Sequence, residues 1–263
     1  MDVRSRFHEL HAGTLLFVLP NPWDVGSARL LESLGFEALA TTSSGFAASL
    51  GRLDQRVSRD ELVDHVAAIT AATSVPLNVD SENCFPDAPG GVAETVRLLR
   101  EAGAGGCSIE DYDPRGDRIE DLGVAVARVG EAAGAADGLV LTARCENFLH
   151  GRPDLDETIA RLVAYRDAGA HCVYAPGLRD LDDIKRVVDE VGIPVNVLLL
   201  PNGPSTPELE SVGVRRASTG GALAAAAYGA LLAAGRELLE RGTSTYSSLR
   251  ATADEYRAAF GDS

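Results

Sequence analysis

Basic residues are scarce in this chain. Lysine and arginine together number 24 against 39 aspartates and glutamates, a formal net charge of −15 over 263 residues. That balance argues against nucleic acid and anionic membrane surfaces as partners. It leaves room for a small anionic substrate, because one arginine or cation can reverse the field inside a pocket. Long apolar runs are also missing. The Ala-rich stretch 222–234 comes nearest to a membrane span, but Gly235, Arg236 and Glu237 follow it at once, short of the roughly 18 residues needed. Residues 1–7 lack the apolar core of a signal peptide. The four cysteines, Cys84, Cys107, Cys145 and Cys172, have no CxxC spacing and read as buried free thiols of a cytoplasmic protein. No glycine-rich phosphate loop follows the first strand-like run, which disfavours a Rossmann domain. No low-complexity linker marks a domain boundary.

What the sequence does carry is a series of short apolar runs that end in charge. The run through Leu77 and Val79 ends in Asp80 and Glu82. The run Gly106-Cys107-Ser108-Ile109 ends in Glu110 and Asp111, and Leu139-Val140-Leu141-Thr142-Ala143 ends in Arg144 and Glu146. Each run reads as a buried strand. A single such ending is what a carboxylate capping the next helix would look like; three in succession point to a site. In a barrel of parallel strands these ends converge on the face where active sites lie. Hard oxygen ligands there suit Mg²⁺, held by a few carboxylates, waters and substrate oxygens. The planar fork of an arginine suits a substrate carboxylate.

Strand-like runs are expected at 14–18, 37–41, through Asp80, through Glu110, through Arg144, and at 171–175, 194–199 and 215–219. Helical patterns alternate with them, at 25–34, from a capping box at Ser58–Glu61 to about 72, then at 92–102, 120–133, 156–168, 181–191, 207–212, 222–241 and 247–260. Gly35, Gly103, Gly134 and Gly169 suit helix-closing positions. The alternation predicts parallel strands, and eight units predict a closed (β/α)8 TIM barrel as one domain over 1–263.

The segments Asn21–Ala28, Thr42–Gly45, Asp80-Ser81-Glu82, Ile109-Glu110-Asp111 and Ala143-Arg144-Cys145-Glu146, taken in order, resemble the isocitrate lyase/phosphoenolpyruvate mutase superfamily over nearly the whole chain. Asn21-Pro22-Trp23-Asp24-Val25-Gly26-Ser27-Ala28 is similar to its N-terminal Asn-x-x-Asp-x-x-Ser-Ala segment. Thr42-Ser43-Ser44-Gly45, with Asp54 beyond, resembles its small-residue substrate loop. Asp80-Ser81-Glu82 stands where the family has Asp-x-Asp, Ile109-Glu110-Asp111 matches Ile-Glu-Asp, and Ala143-Arg144-Cys145-Glu146 resembles Ala-Arg-Thr-Asp. The resemblance implies a (β/α)8 barrel with its last helix exchanged between subunits of an oligomer, dimer or tetramer. Residues 245–263 would then pack on a neighbouring subunit. It implies Mg²⁺ (or Mn²⁺), a 2-oxo acid substrate and an enolate-type intermediate. By position, Asp80 would hold the metal most directly, with Glu82, Glu110 and Asp54 acting mostly through waters. Arg144 would pair with the substrate carboxylate. Thr42, Ser43 and Ser44 would take a substrate oxygen through their backbone N–H groups, and Asn196 would reach the ligand from the seventh strand.

Two departures narrow the expectation. The family's lyases carry a Cys-containing Lys-Lys/Arg-Cys-Gly-His loop after the Ile-Glu-Asp strand, and its cysteine handles the proton in C–C cleavage. Here the stretch is Tyr112-Asp113-Pro114-Arg115-Gly116-Asp117-Arg118-Ile119, without Cys, Lys or His. The second is Glu82 and Cys84 in the metal motif, which keeps the charge but lengthens the ligand. The expected activity is therefore Mg²⁺-dependent C–C cleavage of a small 2-oxo dicarboxylate, as in oxaloacetate decarboxylation. The enolate would take its proton from water or from Tyr112. The alternatives are isocitrate or 2-methylisocitrate cleavage through another acid, phosphonate P–C chemistry, and a non-catalytic 2-oxo acid binding protein. Among other residues, Cys145 beside acidic groups would not be activated. His150 reads as a loop histidine or an acid–base group, and His8, His11 and His65 lack ligand spacing.

Overall fold

The computed structural model describes residues 2–261. In chain order its elements are α1 (Val3–Ala12), β1 (Phe17–Leu19), α2 (Val25–Ser33), β2 (Leu39–Ala40), α3 (Ser43–Ser49), α4 (Arg59–Ala72), β3 (Leu77–Asp80), α5 (Gly91–Glu101) and β4 (Gly106–Glu110). A hairpin of β5 (Tyr112–Asp113) and β6 (Arg118–Ile119) follows, then α6 (Leu122–Ala135), β7 (Val140–Arg144), α7 (Leu155–Asp167), β8 (Cys172–Tyr174), α8 (Leu181–Val191), β9 (Val195–Leu198), α9 (Thr206–Ser211) and β10 (Arg216–Ser218). The chain ends with α10 (Ala222–Arg241), a 3₁₀ turn (Thr245–Leu249) and α11 (Ala253–Phe260).

Eight of the strands form one parallel sheet in the order β1-β10-β9-β8-β7-β4-β3-β2. The sheet curls until Ala40 N–H reaches Pro20 O at 3.1 Å, which brings β2 back to β1. Asn21 reinforces this seam: its Oδ1 accepts the backbone N–H groups of Thr219 and Gly220, each at 2.9 Å, and its Nδ2 donates to Thr41 O at 2.7 Å. The expected (β/α)8 barrel is thus formed. Helices wrap it because their apolar faces are buried on the strands: Leu62, Val66 and Ile69 of α4, Val92, Val96 and Leu99 of α5, Ile184, Val187 and Val191 of α8. The capping box expected at the start of α4 forms through Ser58 and Glu61.

The end opposite the charged strand termini is closed by α1, which the sequence reading left unassigned. Phe7 is fully buried, with its ring 4.5 Å from that of His11 and 6.2 Å from that of Phe17. Gly106 makes the room. A Cβ there would stand 2.8 Å from the Phe7 ring and 2.6 Å from Val140 O. The barrel interior departs from the usual Val/Ile/Leu layers: buried Asn78, Ser108, Thr142, Asn196, Arg216 and Ser218 occupy it.

Other details also differ from the expectation. Gly134 lies inside α6 rather than closing it, whereas Gly35, Gly103 and Gly169 do adopt positive φ. Segment 112–119 is a hairpin rather than an open loop, pairing Tyr112 with Ile119 and Asp113 with Arg118. By length and composition α10 meets the test for a membrane-crossing helix, contrary to the expectation, because its apolar pattern resumes at Leu238 and Leu239 beyond the charges at Arg236 and Glu237. Only Ala224 of this helix is buried, and Leu231, Leu232, Leu238 and Leu239 are exposed. α11 folds back onto α2 of the same chain, with the Arg29 guanidinium 5.5 Å from the centre of the Phe260 ring. Residues 262–263 of the expected C-terminal segment lie outside the described residues.

Two buried histidines tie the fold to pH. Burial, then the neighbouring Arg216, lowers His11 from 6.5 to about 3. Its Nδ1 bonds to Phe7 O at 2.8 Å and its Nε2 meets Arg216 Nη1 at 3.1 Å, so the neutral ring donates to the first and accepts from the second. Burial lowers His65, stacked on Phe46 with centroids 3.7 Å apart, to about 4. Below about pH 6.5 the unfolded chain takes up protons that the folded chain refuses, so this stability is present above 6.5 and is lost as pH falls toward the folded values. Urea denaturation midpoints should therefore drop between pH 7 and 5, and less so in His65→Gln; equal slopes for the two proteins would remove His65 from the account.

Candidate active site

The C-terminal ends of β2, β3, β7, β8, β9 and β10 surround one cavity of about 200 Å³. Thr42, Ser43, Ser44, Asp54, Asp80, Arg144 and Asn196 all line it, so most of the expected site is brought together. Its centre is Arg144. The guanidinium reaches Asp80 Oδ1 at 2.8 Å, Glu110 Oε2 at 3.3 Å and Glu146 Oε1 at 2.8 Å. Its Cζ lies 5.2 Å from the centre of the Tyr174 ring, a cation–π contact. Tyr174, at the end of β8, was not singled out from the sequence.

Asp80 is held on both sides. Its Oδ2 accepts the Ser43 N–H at 3.1 Å and its own N–H donates to Thr41 Oγ1 at 2.8 Å. Asp111, next to Glu110 in sequence, serves another purpose. Strand alternation turns it away, where it accepts from Tyr165 Oη at 2.6 Å, Arg161 at 3.2 Å and the Glu146 N–H at 2.8 Å. This buried network fixes the start of the segment after Arg144.

Glu82 and Glu110 do not line the central cavity. Glu110 sits behind Arg144 and accepts Gln55 Nε2 at 3.1 Å. Glu82 lines an adjoining, wider cleft with Gln55, Tyr112 and Arg115, and Asp54 borders both spaces. The β3 exit is contorted: Glu82, Cys84 and Phe85 have φ of 50°, 57° and 48°, a left-handed conformation that costs non-glycine residues energy and recurs at functional sites. Buried Cys84 anchors that turn through its N–H to Ser81 O at 2.8 Å. Its burial pushes the thiol up to about 12, so it has no nucleophilic role.

The acidic groups are under mutual electrostatic pressure. Burial, then Asp80 and Asp54, pushes Glu82 up to about 8. Burial, then Asp80, raises Asp54, and burial raises Glu110 well above the usual carboxylate range despite Arg144. Gln55 Oε1 is buried beside them without a hydrogen-bond partner. Among the described residues no three His, Cys, Asp or Glu side chains converge as a closed ligand set. The hard oxygen donors of Asp80, Asp54 and Glu82, with the orphaned Gln55 Oε1 beside them, are of the type that suits Mg²⁺. The chain's single lysine, Lys185, is on α8 and paired with Asp189 at 2.7 Å, so no lysine amine reaches the cavity.

Tyr112 stands apart from Arg144. Its ring stacks on His150 with centroids 3.9 Å apart, and its hydroxyl donates to Asp117 Oδ1 at 2.8 Å. Arg115 pairs with Asp87 at 2.8 Å. The hairpin is thus tied to the loops on both sides of it.

The phosphoenolpyruvate phosphomutase family model matches residues 7–239. The chain belongs to this family. It is 51% identical to a putative lyase/mutase from Burkholderia cenocepacia J2315 whose crystal structure superposes with a TM-score of 0.92, covering 97% of this chain and 94% of that one. It is 35% identical over 195 residues to an oxaloacetate decarboxylase of Paraburkholderia xenovorans, covering 69% of this chain and 62% of the relative. A phosphonopyruvate hydrolase crystallised with oxalate and Mg²⁺ shares the fold at 21% identity and a TM-score of 0.87, covering 100% of this chain and 96% of that one. The chain is an enzyme of the lyase and mutase superfamily to which these proteins belong.

Replacing Arg144 tests the centre of this arrangement. Arg144→Met would leave Asp80, Glu110 and Glu146 without their shared cation, and the loss of one partner from a buried ionic cluster costs on the order of 3–5 kcal/mol. Chemical denaturation at pH 7 should register a loss of that size; an unchanged midpoint would mean that the cluster carries no such energy.

Proposed function

We propose that this enzyme is a Mg²⁺-dependent carbon–carbon lyase acting on a small 2-oxo dicarboxylate, with decarboxylation of oxaloacetate as the simplest case. The observation that carries the reading is the meeting of Arg144, Asp80 and Asp54 on one small polar cavity. Asp80 and Asp54, backed by Glu82 and Glu110, are the residues that would hold the metal. When bound, Mg²⁺ supplies a Lewis acid that lowers the energy of an enolate. Arg144 would turn part of its fork to the substrate carboxylate, and Ser43 and Ser44 would face the bound acid across the cavity. Departure of CO₂ from the far end leaves the electron pair on the carbon next to the carbonyl, as the enolate.

The hairpin supports this choice over isocitrate-type cleavage, because it brings no cysteine, lysine or histidine of its own to the site. The Tyr112 hydroxyl points its proton at Asp117, and this contact raises its pKa. Water is therefore the better source of the proton that quenches the enolate, and the hairpin's part is to shield the site. The exposed leucines of α10 support a homo-oligomer in which a second copy covers that helix. Four buried, unpaired thiols fit a cytoplasmic protein.

The test is pyruvate formation from oxaloacetate, measured above the metal-only rate with Mg²⁺ and again with EDTA. Asp80→Ala should reduce turnover by on the order of 10²-fold or more while the protein stays folded. Isocitrate and 2-methylisocitrate should not be cleaved. Efficient cleavage of either would overturn the choice of reaction, and tight oxaloacetate binding without turnover would favour a non-catalytic binding protein.

A further inference from the structure

A second arginine lines the same cavity from below. Arg216 stands at the start of β10, is 2% exposed, and projects into the barrel. Its Nε donates to Asn196 Oδ1 at 2.9 Å, and its Nη1 reaches Thr142 Oγ1 at 3.0 Å and His11 Nε2 at 3.1 Å. All three partners are neutral. No carboxylate pairs with it among the described residues, whereas Arg144 has three. A buried cation without a counter-charge is costly, and a fold tolerates one where an anion will arrive. The Nη2 group has no protein partner, and it is not among the buried orphan atoms. The floor of the cavity also holds an orphan acceptor, Asn78 Oδ1, so this well is built for polar contents rather than for packing.

We propose that Arg216 forms a second anion subsite at the floor of the cavity and binds the far carboxylate of a four-carbon diacid whose 2-oxo acid end lies at Arg144. The assignment rests on the proposed function and extends it, because it makes the second carboxylate a requirement for recognition. Asn196 and Thr142 act as positioning residues, holding Nε and Nη1 of the guanidinium so that the remaining Nη2 faces the ligand. Neutral His11 completes the support without competing for the anion.

Calorimetric binding with Mg²⁺ present tests this with three probes that cannot lose CO₂ to an enolate: L-malate, 2-hydroxybutyrate (the same chain length with one carboxylate fewer) and oxalate, a stand-in for the 2-oxo acid end alone. Wild-type protein should bind L-malate at least about tenfold more tightly than 2-hydroxybutyrate, the size of one charge-assisted hydrogen bond. Arg216→Gln should lose that preference and keep its oxalate affinity, and Arg216→Lys should recover part of the preference. A preference that survives Arg216→Gln overturns the subsite. So does wild-type protein that binds oxalate but does not favour the diacid, a measurement that needs no variant to fold. Wild-type protein that fails to bind oxalate with Mg²⁺ overturns the proposed function itself, and the subsite with it.

Discussion

One guanidinium sets the terms for the charged face of this barrel. Arg144 holds Asp80, Glu110 and Glu146 within 3.3 Å, and these carboxylates come from three segments far apart in the chain. Without that cation, the ends of β3, β4 and β7 would place like charges together in a partly buried space, where their repulsion is poorly screened. The pairing is incomplete compensation. Glu82, Asp54 and Glu110 remain shifted toward their protonated forms. An acidic site in that state would gain from a divalent cation, and under the proposed function such a cation would free part of the arginine for a substrate anion. The same imbalance thus favours both ligands of the proposed reaction.

The polar interior is the second constraint. A barrel usually fills its centre with branched aliphatic side chains; this one gives much of it to Asn78, Thr142, Asn196, Arg216 and Ser218. Hydrogen bonds across β7, β9 and β10 offset the desolvation of these groups: Asn196 Nδ2 donates to Ser218 Oγ at 2.9 Å, and Arg216 joins Asn196 to Thr142. Closure below comes from aromatic packing of α1 on Phe17, and that helix must dock before the well is sealed from solvent. Stability therefore rests on the ring between strands and outer helices, where Val79, Ile109, Leu141 and Val173 face Leu99, Leu162 and Ile184. The centre is left free for chemistry.

The hairpin and α10 are held in opposite ways. The hairpin is short and held by charge and stacking on its flanks, through Arg115–Asp87 and Tyr112–His150. Such exposed contacts contribute little stability, which suits an element that must admit a ligand. α10 is the reverse: a long regular helix in which Ala224 alone is buried while Leu231, Leu232, Leu238 and Leu239 are exposed. Its regularity comes from alanine and leucine, which hold a helix without tertiary help.

By itself the sequence determined the order of strands and helices, the parallel barrel, and the convergence of Asp80 and Arg144, while Asp54, Ser43 and Asn196 came from the resemblance to the family. Alternating apolar runs and strand-end charges are local signals, and barrel geometry turns each strand end toward the same face. It could not show that Glu110 sits behind Arg144 and off the cavity, since that depends on the register with β7. It misread Gly134, because a glycine closes a helix only where packing lets the backbone take positive φ, and here α6 runs through it. It left α1 and the short α3 unassigned. Arg216 was legible only as a strand residue. Its buried, unpaired state is a property of Asn196, Thr142 and His11 meeting it from three other segments, the last 205 residues away in sequence. Burial and charge compensation are sums over neighbours brought in from the whole chain, so only the tertiary structure could decide them.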